Sequence, residues 1–250
     1  MQPKIDVLDT AKIKEIIELG EYDNDAAIQA DSTLLILDCQ KYNLKNIKSI
    51  IFDRNKGICL SNMETKRLIN RFVVQDIVTF GFIRATMELE NIKGVLFYVY
   101  GETMMIPLTG ATQHSTSWFF VNNVASYSFN SAGNKIILYC PQVFDRALKI
   151  AVETNKAYCM RVINAAEKVS DRESKLALKM VADHYPRHPQ AKAFHALDKK
   201  RAISRYCVSL SEKYHKQLIK YTIQALEMEP MPEIVNETYA KVRNRMSKLM

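Results

Sequence analysis

Short apolar runs rich in Ile, Val, Phe and Tyr succeed one another between Ser32 and Cys140: Leu34–Leu37, Ile47–Phe52, Phe72–Phe80, Val95–Tyr100, Trp118–Val121 and Ile136–Tyr139. Turn-forming stretches separate them at Asp53–Gly57, Gly101–Glu102 and Asn130–Gly133. β-Branched and aromatic residues in runs of this length, bounded by Gly, Asn and Asp, predict antiparallel strands. Asn62–Arg71 is the one helix-like insertion. The run Phe97-Tyr98-Val99-Tyr100 reads as a central strand with both faces buried rather than a strip for stacking bases.

From Gln142 onward the period changes to 3.6. Phe144, Leu148, Ala151, Tyr158, Val162 and Val169 share one face of a first helix. Ser170 with Glu173 has capping-box spacing and predicts the start of a second, ending by Tyr185. The segment Tyr185-Pro186-Arg187-His188-Pro189 breaks it. A long helix then runs to about Met228, with the seam Ile203, Cys207, Leu210, Tyr214, Leu218, Tyr221 and Ala225. Pro232 opens a last helix carrying Val235, Tyr239, Val242, Met246 and Leu249. At the other end, Asp9 or Thr10 caps a short helix, Ala11–Leu19, which Gly20 closes. The acidic run Glu21–Asp25 reads as a solvated connector.

This texture predicts an α+β protein in three parts. Residues 1–30 are an N-terminal helix and acidic connector. Residues 31–140 are an antiparallel β-rich core. Residues 141–250 are a basic α-helical C-terminal region.

Charge sharpens that division. Net charge is +8, yet residues 1–139 hold 14 Lys/Arg against 15 Asp/Glu, while residues 140–250 hold 21 against 12. The whole positive excess is in the second part, which suits a polyanionic partner as well as an ordinary solvated helical surface. Five cysteines without a CxxC pair fit buried thiols in a reducing compartment. No apolar run approaches a membrane span and the N-terminus lacks a signal-peptide core, so the expectation is a cytoplasmic protein that does not engage a membrane.

Catalytic signatures are missing from the sequence. There is no Walker loop, no dinucleotide-binding glycine fingerprint and no GxSxG elbow, so an enzyme is not expected, nor a cofactor. His184 and His188 have the four-residue spacing of zinc ligands on a helix, but Pro186 lies between them; His195 and Cys207 do not complete a recognised pattern, and no metal is expected. Glu88 and Glu90 alternate as on a strand edge, with nothing nearby to make them an acid–base pair.

Three features suit nucleic acid. Lys66, Arg67 and Arg71 fall on the helix-like insertion, where Arg67 and Arg71 are one turn apart and point together. The loop Thr112-Gln113-His114-Ser115-Thr116 offers amide, imidazole and hydroxyl groups to phosphates or base edges, with Gln113 and His114 the candidates. Arg201, Arg205, Lys213, Lys216 and Lys220 form a basic stripe beside the long helix's seam, repeated on the last helix by Lys241, Arg243, Arg245 and Lys248.

The stretch from Met104 to Cys140 adds a resemblance. Ile106-Pro107-Leu108-Thr109 leads to a polar loop, Gln113 to Ser117; then come Trp118 to Val121 and the hairpin Phe129-Asn130-Ser131-Ala132-Gly133. Lys135 to Leu138 follows, leading into Phe144 to Ala151. Upstream, Leu60 to Arg67 ends in a basic pair, Lys66-Arg67. This order resembles the competence transcription factor ComK family of bacterial DNA-binding activators, over roughly residues 31–160. It departs at Thr65, where the family has glycine, and around Arg84–Leu89, where a proline-rich step is missing; the C-terminal region has no counterpart. The resemblance implies a ComK-like core that binds A/T-rich double-stranded DNA largely from the minor groove and activates genes such as those for DNA uptake. It also implies action as an oligomer; adaptor-guided proteolysis is not carried over, because the C-terminal tail differs. The unmatched helices are expected to supply self-association through the Leu210–Tyr221 seam or a second DNA contact. Two alternatives stand beside the regulator: a structural or assembly protein whose basic helical face holds nucleic acid without reading it, and a helical partner-binding module.

Overall fold

Strands that are apolar on both faces must be covered on both, and this demand organises the larger part of the chain. A computed structural model describes residues 6–75, 78–94, 96–110, 115–143, 146–184 and 202–246. The chain divides into two compact units, residues 1–78 with 94–170, and residues 79–93 with 171–250.

The first unit begins with β1 (Asp6–Asp9), α1 (Ile13–Glu18) and β2 (Glu21–Tyr22), followed by β3 (Thr33–Asp38), β4 (Ser49–Asp53), β5 (Gly57–Ser61) and α2 (Thr65–Val74). After an excursion into the second unit it resumes with β6 (Tyr98–Tyr100), β7 (Thr103–Pro107), β8 (Trp118–Phe120), β9 (Ser126–Phe129), β10 (Lys135–Val143) and β11 (Arg146–Glu153). These strands make a seven-stranded sheet, β2-β5-β4-β3-β8-β7-β6, and a four-stranded sheet, β1-β11-β10-β9. All described pairings are antiparallel except β2 with β5 and β1 with β11.

Every residue of β4, β5 and β8 is buried, as is all of β3 but its last residue. The adjacent residues Phe119 and Phe120 show what covers the two faces, since neighbours on a strand point oppositely. Phe119 meets Tyr127 of β9 edge-on, ring centroids 6.2 Å apart. Phe120 meets Phe72 of α2, also edge-on, at 6.3 Å. The four-stranded sheet therefore lies on one face and α2 on the other. Both phenylalanines are 0% exposed, and full burial of each contributes about 1.5–3 kcal/mol. Helix α4 (Lys156–His184) joins the four-stranded sheet's side: Tyr158 donates to the Thr109 carbonyl (2.9 Å) and Ser170 to the Gly101 carbonyl (2.8 Å), at opposite ends of β7.

Buried polar groups at the sheet's turn end are satisfied by one carboxylate. Asp53 accepts from the hydroxyls of Ser32 (2.7 Å) and Thr33 (3.1 Å) and from the backbone N–H of Asn55 (2.9 Å) and Lys56 (3.1 Å). Beside it, the Asn123 amide donates to the carbonyls of Ala30 and Thr33.

The second unit holds α3 (Phe80–Leu89), the C-terminal part of α4, α5 (Ala202–Ala225) and α6 (Pro232–Met246). Thr79 caps α3, accepting from the Phe82 N–H at 3.4 Å. Phe82 meets Tyr214 edge-on at 5.5 Å, and Arg84 donates to the Tyr221 hydroxyl at 3.2 Å. Gly81 allows the close approach of α3 and α5, since a Cβ there would sit 3.3 Å from the Tyr221 ring. Helices α5 and α6 meet where His215 stacks on Tyr239. The turn between them is a Schellman motif: Met228 N–H bonds to the Ile223 carbonyl and Glu227 N–H to that of Gln224. Glu227 takes the left-handed position, φ 58°, that glycine usually fills. No helix among the described residues is long and apolar enough to cross a membrane.

The mixed α and antiparallel-β class matches expectation; several boundaries do not. The helix expected from Gln142 is strand as far as described: β10 continues to Val143 and β11 covers Arg146–Glu153, so helix begins only at Lys156. The boundary near Pro141 thus falls inside a hairpin, whose strands alternate (Ile136, Leu138 and Cys140 buried; Ile137 and Tyr139 less so). Residues 1–30 contribute strands to both sheets, and Glu21–Tyr22, in the expected connector, pairs with β5. Helix α1 is shorter than Ala11–Leu19 and has no side-chain cap. Phe72–Phe80 is not a strand where described: α2 runs through Val74 and α3 starts at Phe80. Glu88 and Glu90 accordingly belong to the end of a helix, not a strand edge. Ser170 and Glu173 lie within α4 rather than at a helix start, because neither Pro nor Gly interrupts 156–184. Strand β6 is an edge strand, although Tyr98 and Val99 are fully buried. The break at 185–189 lies outside the described residues.

Replacing Asp53 by Ala leaves two buried hydroxyls and two turn N–H groups without their acceptor; urea unfolding is expected to show a loss of about 2–4 kcal/mol at unchanged m-value. Glu227→Gly removes the left-handed strain and is expected to raise stability by roughly 1 kcal/mol in the same assay.

Candidate nucleic-acid interface

Helix α2 is amphipathic in a strict sense. Thr65, Leu68, Ile69 and Val73 are buried against the seven-stranded sheet, and Phe72 places its ring edge-on to Tyr98 (6.1 Å) as well as Phe120. Once that face is fixed, helical geometry puts Arg67, Asn70, Arg71 and Val74 together on the outside, at steps of three and four. With Glu64 and Lys66 they line a shallow groove of about 410 Å³. Val74 is 82% exposed, so the groove has an apolar floor edge beside three cations. Glu64, the single carboxylate among the lining residues, is held by Lys48 at 3.2 Å. An Arg71 guanidinium nitrogen rests 3.2 Å from the Met63 sulfur, which orients that side chain along the helix.

The polar loop after β7 returns to this helix. The Ser115 and Thr65 hydroxyls are hydrogen-bonded at 2.7 Å. Thr65 opens α2, immediately before Lys66 and Arg67, so the loop's C-terminal side is tied to the start of the basic face. The loop's base is closed by Leu108 N–H donating to the Ser117 carbonyl (2.9 Å) and by the hydroxyls of Thr109 and Thr116, 2.5 Å apart. Ser117 in turn accepts from the Asp38 N–H at 2.9 Å. Gln113 and His114 lie outside the described residues.

Asp38, at the end of β3, is half-buried beside these groups. Burial raises its pKa above the ordinary 3.8, and the nearby Glu64 charge adds to the rise; the Ser115 hydroxyl, the Gln40 N–H and the Lys41 charge act the other way.

The basic stripe of α5 is differently disposed. It belongs to the second unit, whereas α2 belongs to the first. Lys213 is ion-paired with Glu88, and Lys216 with Glu212 at 2.8 Å while lying over the Tyr239 ring. Lys220 is exposed. Arg201 and the side chain of Arg205 lie outside the described residues. On α6, Lys241 pairs with Glu237 at 2.6 Å, Arg243 is exposed, and Arg245's side chain and Lys248 are not described. Lys213 and Lys216 thus meet carboxylates within their own unit, whereas among the described residues none of the three α2 cations is ion-paired. The Leu210–Tyr221 seam expected to join two chains is used inside the unit: Leu210 is buried, while Tyr214 and Tyr221 pack on α3. Leu218 and Ala225 stay exposed, and Ile223 is buried in their stead.

Among the described residues no group of three His, Cys, Asp or Glu side chains is placed to hold a metal. His188 and His195 lie outside them, as does the side chain of His184. Burial pushes the thiols of Cys39, Cys140 and Cys159 up to about 12, far from the reactive range. Sequence reasoning missed Asn70 and Val74 as members of the α2 face; the spacing 67, 70, 71, 74 was the signal for both.

No family model matches the chain, and no curated protein or solved structure matches it.

The raised Asp38 pKa carries a signed consequence. The folded state binds this proton more tightly, so Asp38 costs stability once pH rises past 3.8 and through the folded value, and the cost is complete above it. Asp38→Asn keeps one acceptor and removes the charge. Its melting temperature should exceed wild type at pH 7, and the difference should vanish on titration to below the ordinary carboxylate pKa.

Proposed function

We propose that this chain is a DNA-binding transcriptional regulator that engages A/T-rich duplexes through the outward face of α2. One observation carries the reading: Lys66, Arg67 and Arg71 project from a single exposed helix face, beside a hydroxyl-bearing loop tied to the same helix, with no described carboxylate paired to any of them. Cations that no described carboxylate engages, the one carboxylate of the groove being held by Lys48, keep their charge for phosphate oxygens. Arginines one turn apart suit a narrow minor groove, where A/T tracts concentrate negative potential. Asn70 supplies an amide that both donates and accepts, and Val74 an apolar contact next to it. Discrimination then comes chiefly from groove width and deformability, because the minor-groove hydrogen-bond pattern separates base pairs poorly.

The resemblance to ComK supports the same assignment, since Lys66 and Arg67 stand at that family's basic pair. By that resemblance the protein activates genes such as those for DNA uptake. A scaffold that holds nucleic acid through the C-terminal helices is less favoured, because Lys213 and Lys216 are neutralised within their own unit.

Affinity for A/T-box and scrambled G/C-rich duplexes, each at two salt concentrations, distinguishes the readings. A regulator keeps a large ratio between the sequences; a scaffold has a steep salt slope and almost no preference; a partner-binding module binds neither. Arg67→Ala with Arg71→Ala should weaken A/T-duplex binding by about 1–3 kcal/mol and flatten the salt slope, with an unchanged melting temperature. Lys213→Ala with Lys216→Ala should leave affinity near wild type. The opposite pattern transfers the interface to α5 and overturns the assignment to α2.

A further inference from the structure

The turn from α5 into α6 has a surface unlike the rest of the C-terminal half. Leu226, Met228, Met231 and Ile234 are 67, 55, 51 and 39% exposed. Interleaved with them are Glu227, Glu229 and Glu233, all exposed. Residues 221–240 contain four glutamates and not a single lysine or arginine, within a half-chain whose balance is strongly positive. Other carboxylates of α5 and α6 are engaged by lysines, Glu212 by Lys216 and Glu237 by Lys241. No described cation pairs with the three at the turn. A further sign comes from the backbone: Glu227 occupies the left-handed Schellman position, φ 58°, where glycine is less strained.

An acidic, methionine-bearing knuckle calls for a counterpart with an apolar floor and a basic rim. The same chain carries that counterpart on α2: Val74 almost fully exposed, with Lys66, Arg67 and Arg71 around it. The match extends to number, three carboxylates without a described cation against three cations without a described carboxylate. Methionine side chains adapt to such shallow grooves, and the aliphatic stems of Lys and Arg extend the apolar floor. We infer that the knuckle at 226–234 docks on the α2 face of a second copy of this chain, giving a head-to-tail contact. Each copy then uses one surface to hold its neighbour and offers the other, an arrangement that closes into a ring or continues as an open chain. The docking itself is independent of the DNA reading. Its consequence rests on that reading: a docked neighbour withholds α2 from a duplex, so self-assembly stores the regulator in a form that cannot read DNA.

The test leaves DNA out, so its outcome is separate from that of the duplex assays. Sedimentation of the full chain over a range of concentrations should show mass rising beyond the monomer, less so at high salt. Two charge reversals are prepared: Glu227→Lys with Glu229→Lys and Glu233→Lys, and Lys66→Glu with Arg67→Glu and Arg71→Glu. Each alone should associate at least about tenfold more weakly. Mixed in equal amounts they should recover association beyond the monomer, because the reversed knuckle fits the reversed face and the intact knuckle fits the intact face. Circular dichroism checks that both fold, and Met228→Ser with Met231→Ser, which keeps every charge, serves in place of a variant that does not. A wild-type chain that stays monomeric at all concentrations overturns the proposal. So does association that survives either reversal, or a mixture of folded variants that remains monomeric.

Discussion

Burial of the seven-stranded sheet on both faces is the constraint from which the rest follows. With β4, β5 and β8 wholly enclosed and β3 nearly so, neither face can be left to water. One is closed by the four-stranded sheet with the first half of α4, the other by α2. The paired phenylalanines of β8 make the arrangement concrete, Phe119 reaching Tyr127 and Phe120 reaching Phe72. A helix pinned this way has no freedom to rotate. Its outer face is determined by its inner one, so hydrophobic packing sets where the cations of the candidate interface leave the helix.

Electrostatics then separates cations that carboxylates engage from those for which no carboxylate is described. Lys213, Lys216 and Lys241 meet glutamates one turn away or on α3, pairs worth little individually at an exposed surface but enough to lower the local positive potential. At α2 the carboxylate that lines the groove, Glu64, is taken by Lys48. Among the described residues, the positive face in the first unit and the acidic knuckle in the second have no described ion pair, and both depart from the pattern of local neutralisation on α5 and α6. Both also expose apolar side chains, Val74 in one case and Leu226, Met228 and Met231 in the other, as surfaces that lose water against a partner tend to do.

Much of this was legible in the chain. The runs at Leu34–Leu37, Ile47–Phe52 and Trp118–Val121 mark buried strands, and β-branched and aromatic density is a strong signal there. Asn130–Gly133 marks the β9–β10 hairpin, and Pro232 the start of α6. Failures came where one run satisfies two periods. Leu148 and Ala151 fit a helical face with Tyr158 and Val162, but Leu148, Ile150 and Val152 also alternate, and pairing with β10 on one side and β1 on the other settles the contest in favour of strand. Phe72 and Val73 resemble a strand in composition, yet are the inner face of α2's last turn. The two-residue β2 carries no local signal, since both residues are exposed and only the pairing with β5 makes it a strand.

Local sequence alone determined the mixed class, the helicity of Thr65–Arg71, the spacing that groups Arg67 with Arg71, and the concentration of positive charge in the second half. These depend on intervals of a few residues, over which backbone geometry is nearly fixed. Tertiary structure alone decided that Ser115 ties the polar loop to Thr65, that Lys213 is matched by Glu88, and that the Leu210–Tyr221 seam faces its own unit. Each of those joins residues far apart along the chain or depends on which face of a helix is covered, and no local pattern encodes which distant group arrives.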